Sequence, residues 1–426
     1  MNLIFIGTGY VGLVSGVMLA SQGANVVCFD NDQNKIKRLK HGKLPLYEPG
    51  LEEYVIQSIA TGNLSFATNY SEVEIAPDAV FITVGTPSLA SGDADLTYVL
   101  DASLEAAKNT TPNTLIIIKS TVPPGTTNSI ESLLRKNGYN HKVVSNPEFL
   151  REGKAINDFT HPDRIVIGVT DKISRQKMSQ IYAKFQSILF TNPTTAELIK
   201  YASNSFLATK IAFINEMANL CEKTGGDIDA LSHGMGLDTR IAPDFLKVGP
   251  GFGGSCFPKD ILALEYLAKK YDEPFHVLSA VIEANEKRRG HIVDKIEAKI
   301  GSLHNKKIAV LGLAFKAETD DIRSSPAIDI AKIMIARGAA LTAYDPAATE
   351  NTKALGLEMN FANSAYEAAR DADAAVILTE WPEFTQLNYK ALVSNMKVQM
   401  IFDYRNILDA DMIRESGIML FQLGKI

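Results

Sequence analysis

The segment GFGGSCFPKD, from Gly251 to Asp260, sets one cysteine among glycines and a proline. This composition suits neither a helix nor a strand and predicts a shaped loop. A cysteine thiolate acts as a nucleophile where a nearby cation or base stabilises it, and Lys259 and Asp260 follow Cys256 closely. The alternative is a buried core residue, because free cysteines are among the most buried side chains. The loop composition favours a nucleophilic Cys256.

The other two cysteines fall within regular elements. Cys28 lies in an apolar segment that predicts a strand, and Cys221 lies in a helical segment, so we expect both in the core. Three cysteines far apart in the chain fit a reducing cytoplasm better than a disulfide scaffold, and their spacing matches no metal site.

A glycine-rich turn follows the first apolar strand of the chain. LIFIGTGYVG contains Gly7, Gly9 and Gly12, the next segment has the apolar spacing of a helix, and NVVCFD predicts a second strand that ends at Asp30. In this context, glycines let a pyrophosphate approach the backbone at a helix N-terminus. Asp30 would accept hydrogen bonds from ribose hydroxyls and repel a 2′-phosphate, which favours NAD over NADP; the alternative is a turn residue.

Three further segments, DAVFITVGTP, TLIIIKSTVPPGT and KVVSNPEFL, predict strands that end in polar residues. Ligands of a parallel sheet gather beyond the carboxyl ends of its strands. We therefore expect Thr86, Thr121 and Glu148 to face one crevice, with strand-end caps as the alternative.

A long segment without proline or glycine runs from Ala196 to the stop at Gly225 and Gly226 and predicts one helix. Lys200 and Asn204 share a face of this helix among apolar neighbours. A surface lysine that extends its amine to solvent is the alternative for Lys200. A helix of this length and apolarity suggests a domain connection or a subunit interface.

The opening pattern returns after Ser302. KKIAVLGLAF, ALTAYDP and DADAAVILTEW resemble the first, second and third strands of the N-terminal half, but GLAFK replaces the glycine fingerprint. The sequence of the second half therefore indicates a binding site for a nucleotide-bearing substrate rather than for a second dinucleotide. We predict an α/β fold with two doubly wound Rossmann-like domains, joined by a long central helix and a helical dimerisation domain. The expected divisions are 1–195, 196–300 and 301–426.

The composition narrows the class of protein. A formal net charge of −6 without a basic stretch argues against a nucleic-acid partner. No apolar stretch reaches the length of a membrane span, and the opening MNLIFIGTGY reads as a strand rather than a signal peptide. We expect a cytoplasmic protein that does not bind membranes.

NAD together with a nucleophilic thiol indicates a particular kind of oxidation. Oxidation of an alcohol needs no cysteine, whereas oxidation of an aldehyde to an acid uses a thiohemiacetal, whose loss of hydride leaves a thioester for water to cleave. Two alternatives are a two-electron hydroxyacid dehydrogenase and a catalytically idle NAD sensor.

Eight motifs occur in order along the chain: GTGYVG, YEPGL, VGTP, STVPPGT, NPEFLREG, ELIKYASNSFLATKIAFINE, GFGGSCFPKD and GLAFKAETDDIRSSP. With these motifs the chain resembles the UDP-glucose 6-dehydrogenases, a branch of the nucleotide-sugar dehydrogenases that also include GDP-mannose and UDP-N-acetylmannosamine enzymes. The resemblance covers essentially the whole chain. It implies NAD-dependent oxidation of UDP-glucose to UDP-glucuronate, with UDP-sugar bound by the C-terminal domain.

The resemblance also implies site residues. For NAD these are Gly7, Gly9, Val11, Gly12, Asp30, Lys35, Thr86, Thr121, Glu148, Lys259 and Arg323. For the nucleotide sugar these are Glu148, Phe149, Leu150, Arg151, Glu152, Lys200, Asn204, Phe245, Leu246, Lys247, Val248, Gly249, Gly253 and Lys316. Arg240 matches an arginine that the family contributes across a dimer interface. Arg405 matches a uridine-side arginine, although Tyr404 stands where the family often has glycine.

The expected mechanism assigns a role to each catalytic residue. Lys200, Asp260 or an ordered water takes the proton of the sugar's primary hydroxyl, and Cys256 captures the aldehyde. Lys200 and Asn204 stabilise the oxyanion, and Glu148 activates the hydrolytic water. Thr121 completes the expected catalytic set.

Overall fold

The computed structural model describes residues 1–425. The chain divides into two compact units, the first formed by Met1–Ser203 with Leu262–Asp272 and the second by Asn204–Ile261 with the chain from Glu273 onward.

The first unit contains an eight-stranded sheet in the order β3-β2-β1-β4-β5-β6-β7-β8, in which only the β6–β7 pair is antiparallel. Its strands are β1 (Asn2–Ile6), β2 (Asn25–Phe29), β3 (Leu64–Ala67), β4 (Ala79–Ile82), β5 (Leu115–Ile118), β6 (Val143–Ser145), β7 (Ile165–Gly168) and β8 (Ile188–Thr191). Its helices are α1 (Tyr10–Ser21), α2 (Gln33–Lys40), α3 (Leu51–Ala60), α4 (Thr97–Asn109), α5 (Thr126–Lys136), α6 (Ala155–Thr160) and α7 (Lys172–Ile181).

Both faces of this sheet are buried, which explains why its strands read as continuous apolar runs. Along β1, Leu3 and Phe5 belong to one hydrophobic cluster, while Ile4 and Ile6 belong to another. Phe5 lies in register with Phe81 of β4, and their rings stack with centroids 4.4 Å apart. Helices on both faces therefore hold the carboxyl ends of the strands in fixed positions.

The second sheet has six parallel strands in the order β11-β10-β9-β12-β13-β14, the same order as the first six strands of the first sheet. The predicted doubly wound α/β fold with two similar halves is confirmed. The strands are β9 (Lys307–Leu311), β10 (Ala340–Tyr344), β11 (Asn360–Phe361), β12 (Ala374–Ile377), β13 (Met400–Asp403) and β14 (Met419–Gln422). The helices around them are α12 (Pro326–Ala336), α13 (Thr349–Lys353), α14 (Ala365–Ala368), α15 (Pro382–Thr385), α16 (Tyr389–Ser394) and α17 (Ala410–Glu415).

The predicted long helix is α8 (Pro193–Thr224), and both compact units contain part of it. It begins three residues before the predicted Ala196, because proline is tolerated in the first turn of a helix. It ends at the predicted glycines, where Gly225 adopts a φ of +83°. Three more helices follow: α9 (Ile228–Gly236), α10 (Phe257–Lys270) and α11 (His276–Ile300).

The predicted loop around Cys256 is shorter than expected. Phe257 to Asp260 form the first turn of α10, so the expectation of a loop as far as Asp260 is wrong. Pro258 does not prevent the helix, because a first-turn residue donates no intrahelical hydrogen bond. Among residues 1–425, no helix combines the length and the apolarity that crossing a bilayer requires.

Candidate active site

The glycine turn after β1 has the geometry of a phosphate-binding loop. Gly7 has a φ of +99°, and a Cβ on Gly12 would overlap the carbonyl oxygen of Gly7 and the hydroxyl of Thr83. A Cβ on Gly9 would meet nothing within 4 Å, so the space in front of the loop is open. No side chain caps α1, whose first N–H groups follow Gly9. This loop fits the pyrophosphate of a dinucleotide.

Asp30 lies at the carboxyl end of β2, as predicted. Its Oδ2 accepts hydrogen bonds from the Thr8 N–H at 2.8 Å, from the Thr8 hydroxyl at 2.7 Å and from the Lys35 ammonium at 2.8 Å. Burial by itself raises the pKa of Asp30, but the hydrogen bonds from Lys35 and Thr8 outweigh it and lower that pKa. The charged carboxylate suits the ribose hydroxyls of NAD and also ties the glycine loop to β2.

The ends of β4 and β5 meet through one hydrogen bond, in which the Thr86 hydroxyl donates to the carbonyl of Thr121 at 3.0 Å. Both threonines are buried. The structure therefore brings together two of the three residues expected in one crevice.

The third of these residues, Glu148, forms an ion pair with Lys200 at 2.8 Å, and each side chain is only 5% exposed. The alternative of a solvent-exposed Lys200 is therefore wrong. Glu148 Oε2 also accepts the N–H of Leu150 at 2.6 Å. Burial acts to raise the pKa of Glu148, but Lys200 and this N–H outweigh it, so the pKa lies below its ordinary value. A buried, charged carboxylate suits a general base for water.

A second buried cation lies at this place, Lys119 just after β5, which nothing in the local sequence singles out. Burial lowers the pKa of Lys119 to about 8, Glu148 opposes that shift, and Lys200 adds to it. The Lys119 ammonium lies 3.4 Å from Asn146 Oδ1, which also accepts the Tyr182 hydroxyl at 2.6 Å. Lys119, Asn146 and Glu148 line one cavity of about 150 Å³.

The segment after Glu148 is held by charged neighbours. The guanidinium of Arg164 lies 4.0 Å from the centre of the Phe149 ring. Arg151 forms a bidentate pair with Asp158 at 2.6 and 2.9 Å, so its side chain is engaged at the protein surface. Glu152 is half-buried.

In the second unit, Cys256 immediately precedes α10 and is half-buried. Its carbonyl accepts the N–H of Asp260 at 3.0 Å, so Cys256 occupies the N-cap position. The Ser255 hydroxyl lies 3.6 Å from its sulfur. The helix dipole favours negative charge at this position.

Three predicted residues of the same unit form a chain of contacts. The Asn204 amide donates to Asp260 Oδ2 at 2.6 Å, and Lys259 donates to Asp260 Oδ1 at 2.5 Å. Asp260 is only 1% exposed. The carboxylate is therefore held between a neutral and a charged donor.

The stretch assigned to the nucleotide sugar offers mainly backbone. Leu246 and Val248 are buried in the core, Lys247 is exposed, and Phe245 has a φ of +65°. Gly253 leaves no room for a side chain, because a Cβ there would overlap the carbonyl oxygen of Ser324 and meet Pro326 at 2.7 Å.

The predicted arginines differ in their surroundings. Arg405 lies beside Gly249, since a Cβ on that glycine would meet the Arg405 Nη1 at 3.1 Å. Arg240 pairs with Asp238 and its side chain is 87% exposed, while Arg323 pairs with Asp321 at 2.7 Å. The ammonium of Lys316 lies 5.4 Å from the centre of the Phe315 ring.

The dinucleotide loop of the first unit is typical of an NAD-dependent dehydrogenase. Residues 1–186 match the NAD binding domain of the UDP-glucose/GDP-mannose dehydrogenase family, residues 194–287 its central domain and residues 309–410 its UDP binding domain. The chain belongs to this family.

Relatives of the chain are similar over their full length. It is 49% identical to the UDP-glucose 6-dehydrogenase of Rickettsia conorii, with 100% of this chain and 99% of that protein covered. It is 46% identical to the UDP-glucose 6-dehydrogenase of Rhizobium meliloti, with both chains covered completely. The structure of a UDP-glucose dehydrogenase from Pyrobaculum islandicum matches with a TM-score of 0.92 at 37% identity, covering 100% of this chain and 98% of that one.

Proposed function

We propose that this chain is an NAD-dependent UDP-glucose 6-dehydrogenase that oxidises UDP-glucose by four electrons to UDP-glucuronate. The observation that carries the proposal is Cys256 at the N-terminus of α10, in a chain that also holds a dinucleotide loop. An alcohol dehydrogenase of two-electron type has no use for such a thiol.

The residues assigned to NAD in the first unit are Gly7, Gly9, Val11, Gly12, Asp30, Lys35, Thr86, Thr121 and Glu148. Those assigned to NAD in the second unit are Lys259 and Arg323. If bound there, NAD would supply the hydride acceptor for each of the two oxidations at C6 of the sugar. The residues assigned to the sugar in the first unit are Glu148 to Glu152 and Lys200. Those assigned to it in the second unit are Asn204, Phe245 to Gly249, Gly253, Lys316 and Arg405, with Arg240 from a second copy.

The residues of the chain then act on protons and on the acyl group. Lys200, Asp260 or a water takes the proton of the C6 hydroxyl, and the Cys256 sulfur bonds to the aldehyde carbon. Lys200 and Asn204 stabilise the oxyanion at that carbon. After the second oxidation the acyl group remains on sulfur as a thioester. Glu148 removes a proton from the attacking water, the C–S bond breaks, and the carboxylate leaves.

The proposal includes the domain division 1–195, 196–300 and 301–426, a homodimer, and a cytoplasmic location. The apolar surface of α8 and the exposed Arg240 support the dimer. Three dispersed cysteines, two of them buried, suit a reducing compartment.

Product stoichiometry tests the reaction. With purified protein and UDP-glucose we expect two NADH per sugar consumed, and Cys256→Ser should stop acid formation while it leaves an aldehyde-level or covalent species. GDP-mannose and UDP-N-acetylmannosamine, assayed alongside, test the choice of sugar. One NADH per sugar, or full acid production by the serine variant, would remove the thioester scheme.

A further inference from the structure

The segment Gly249–Phe252 has no regular secondary structure, yet its backbone is held at both ends by buried side chains. It joins two parts of the proposed sugar site, the stretch that ends at Gly249 and the loop that carries Cys256. Backbone groups in an irregular buried segment need hydrogen-bond partners, because a buried N–H or C=O group without a partner destabilises the fold. The partners come from α8 and α11.

Asn285 of α11 holds the downstream end of the segment. Its Oδ1 accepts the N–H of Phe252 at 2.9 Å, and its Nδ2 donates to the carbonyl of Phe252 at 3.2 Å. The side-chain amide thus pairs with one residue as a neighbouring strand would. A Cβ on Gly251 would lie 2.6 Å from Asn285 Oδ1, so only glycine permits this approach.

The upstream end is held by Asn215 and Arg288. Asn215 Oδ1 accepts the N–H of Gly249 at 2.9 Å, and Arg288 Nε donates to the carbonyl of Gly249 at 3.1 Å. Arg288 Nη1 also donates to the carbonyl of Asn215 at 3.2 Å and to Asn219 Oδ1 at 3.0 Å. One guanidinium therefore joins the segment to α8.

Arg288 is only 3% exposed, and among residues 1–425 it has no carboxylate as an ion-pair partner. Burial lowers its pKa to about 10, against the opposing effect of Glu222, so the group remains charged at neutral pH. The nearby Glu222 already pairs with Lys295. A buried charge without an ion-pair partner is costly, and here the oxygens of Gly249, Asn215 and Asn219 compensate it together with the negative charge of Glu222.

We propose that Asn285 and Arg288 are positioning residues, which hold the Gly249–Phe252 backbone in the shape that binds the nucleotide sugar and presents Cys256. The inference rests on the proposed function for the identity of the ligand. The geometry of the hydrogen bonds does not depend on it. A structural role alone would affect folding stability without a selective effect on sugar binding.

Hydrogen exchange followed by mass spectrometry tests the hold on the backbone. In Asn285→Ala we expect the peptide covering Gly249–Phe252 to exchange roughly tenfold faster than in the unaltered protein, since the Phe252 N–H loses its acceptor. Lys287→Gln, at an exposed position of the same helix, is the matched control and should leave this peptide unchanged. Equal exchange in Asn285→Ala and the unaltered protein would overturn the proposal.

Kinetics of Arg288→Lys test the consequence for the sugar. Lysine keeps the charge but loses the planar fork that reaches several acceptors. We expect the KM for UDP-glucose to rise about tenfold and the KM for NAD to change less than twofold. UDP-glucose should also protect Cys256 from alkylation only at correspondingly higher concentration. Unchanged sugar KM and protection, or equal rises in both KM values, would overturn the positioning role. Absence of turnover in the unaltered protein would instead refute the proposed function and leave the exchange result standing.

Discussion

Glu148 is a buried carboxylate whose charge depends on its neighbours. Burial opposes ionisation, while Lys200 at 2.8 Å, the Leu150 N–H and, more weakly, Lys119 favour it, so the pKa is lowered. A lowered pKa in the folded state means that the resulting stability is present above the ordinary carboxyl value of about 4.3 and is lost as the pH falls through the folded value. Glu148 therefore stays ionised throughout the neutral range.

Replacing Lys200 by methionine should destabilise the protein through Glu148. The carboxylate remains buried without its nearest cation, and we expect a loss of about 3 kcal/mol in the free energy of unfolding at pH 7. Burial then raises the pKa of Glu148, so the loss should be smaller at pH 5 than at pH 7. Urea denaturation at both values measures this. The double variant Lys200→Met, Glu148→Gln should regain part of the loss, and a single variant as stable as the unaltered protein would contradict the interpretation.

Asp30 should determine the choice of cofactor. In Asp30→Ala we expect the KM for NAD to rise about tenfold and the preference for NAD over NADP to fall, because the carboxylate no longer binds the ribose or repels a 2′-phosphate. Steady-state kinetics with both cofactors check this. Asp32→Ala is the control, since Asp32 caps α2 through the Lys35 N–H and should leave the preference unchanged. A constant NAD-to-NADP ratio in Asp30→Ala would exclude this role.

Residue types and spacing predicted some environments and missed others. Cys28 and Cys221 are buried as expected, and burial raises the pKa of the Cys28 thiol to about 12. The burial of Lys119 could not be predicted, because a lysine at the end of an apolar run such as IIIK usually extends its amine to solvent. Its burial depends on Glu148, which is far away in the chain and whose position follows from the pairing of β5 with β6. Local sequence does not contain that information.

The presence of a helix was easier to predict from the sequence than the residues at which it begins and ends. The long run without proline or glycine predicted α8, because each residue of the run can continue a helix, and the glycines at 225 and 226 marked its end. The glycines and the proline near Cys256 together predict a loop, whereas α10 begins at Phe257. Proline in the first turn is compatible with a helix, so only the glycines mark the loop.

Glu197 near the start of α8 should stabilise the N-terminus of α5. Its carboxylate accepts the N–H groups of Gly125 and Thr127 and the hydroxyl of Thr127, at 2.6 to 2.8 Å. Glu197→Ala would leave buried donors without acceptors, and we expect a loss of about 2 kcal/mol in the free energy of unfolding. Urea denaturation measures the loss. Glu216→Ala, at an exposed position of the same helix, should change stability by less than about 0.5 kcal/mol; equal effects of the two changes would refute the capping role.

On the scale of the whole molecule, the two sheets share a strand order but differ at their first turns. In the second sheet α12 begins at Pro326, well after Gly312, so no helix N-terminus follows the turn directly. Asp345 accepts the N–H groups of Leu313 and Ala314 and the indole N–H of Trp381. The turn of the second half therefore lacks the adjoining helix N-terminus that the glycine loop of the first half has. The repeat could be predicted from apolar patterns, whereas the loop conformation depends on distant partners such as Trp381.

Helix α8 carries an exposed apolar surface that bears on whether the protein forms a dimer. Phe206, Phe213 and Leu220 are 68%, 47% and 52% exposed. They recur every seven residues, so they lie along one narrow face of the helix, turned by only about 20° per step. Large apolar side chains aligned on one exposed face are typical of an interface between protein chains.

We therefore expect the protein to elute at twice its chain mass of 46.4 kDa, and Phe206→Glu with Phe213→Glu to give a monomer, because a charge cannot be buried unpaired in an apolar contact. Light scattering after gel filtration measures the mass, and Leu355→Glu, at an exposed apolar position outside α8, should leave it unchanged.

If Arg240 acts on the site of the other subunit, a mixture of Arg240→Ala and Cys256→Ser chains should regain activity that neither shows alone, since one site of each mixed dimer is intact. A monomeric unaltered protein that is fully active would rule out both the interface and the shared site.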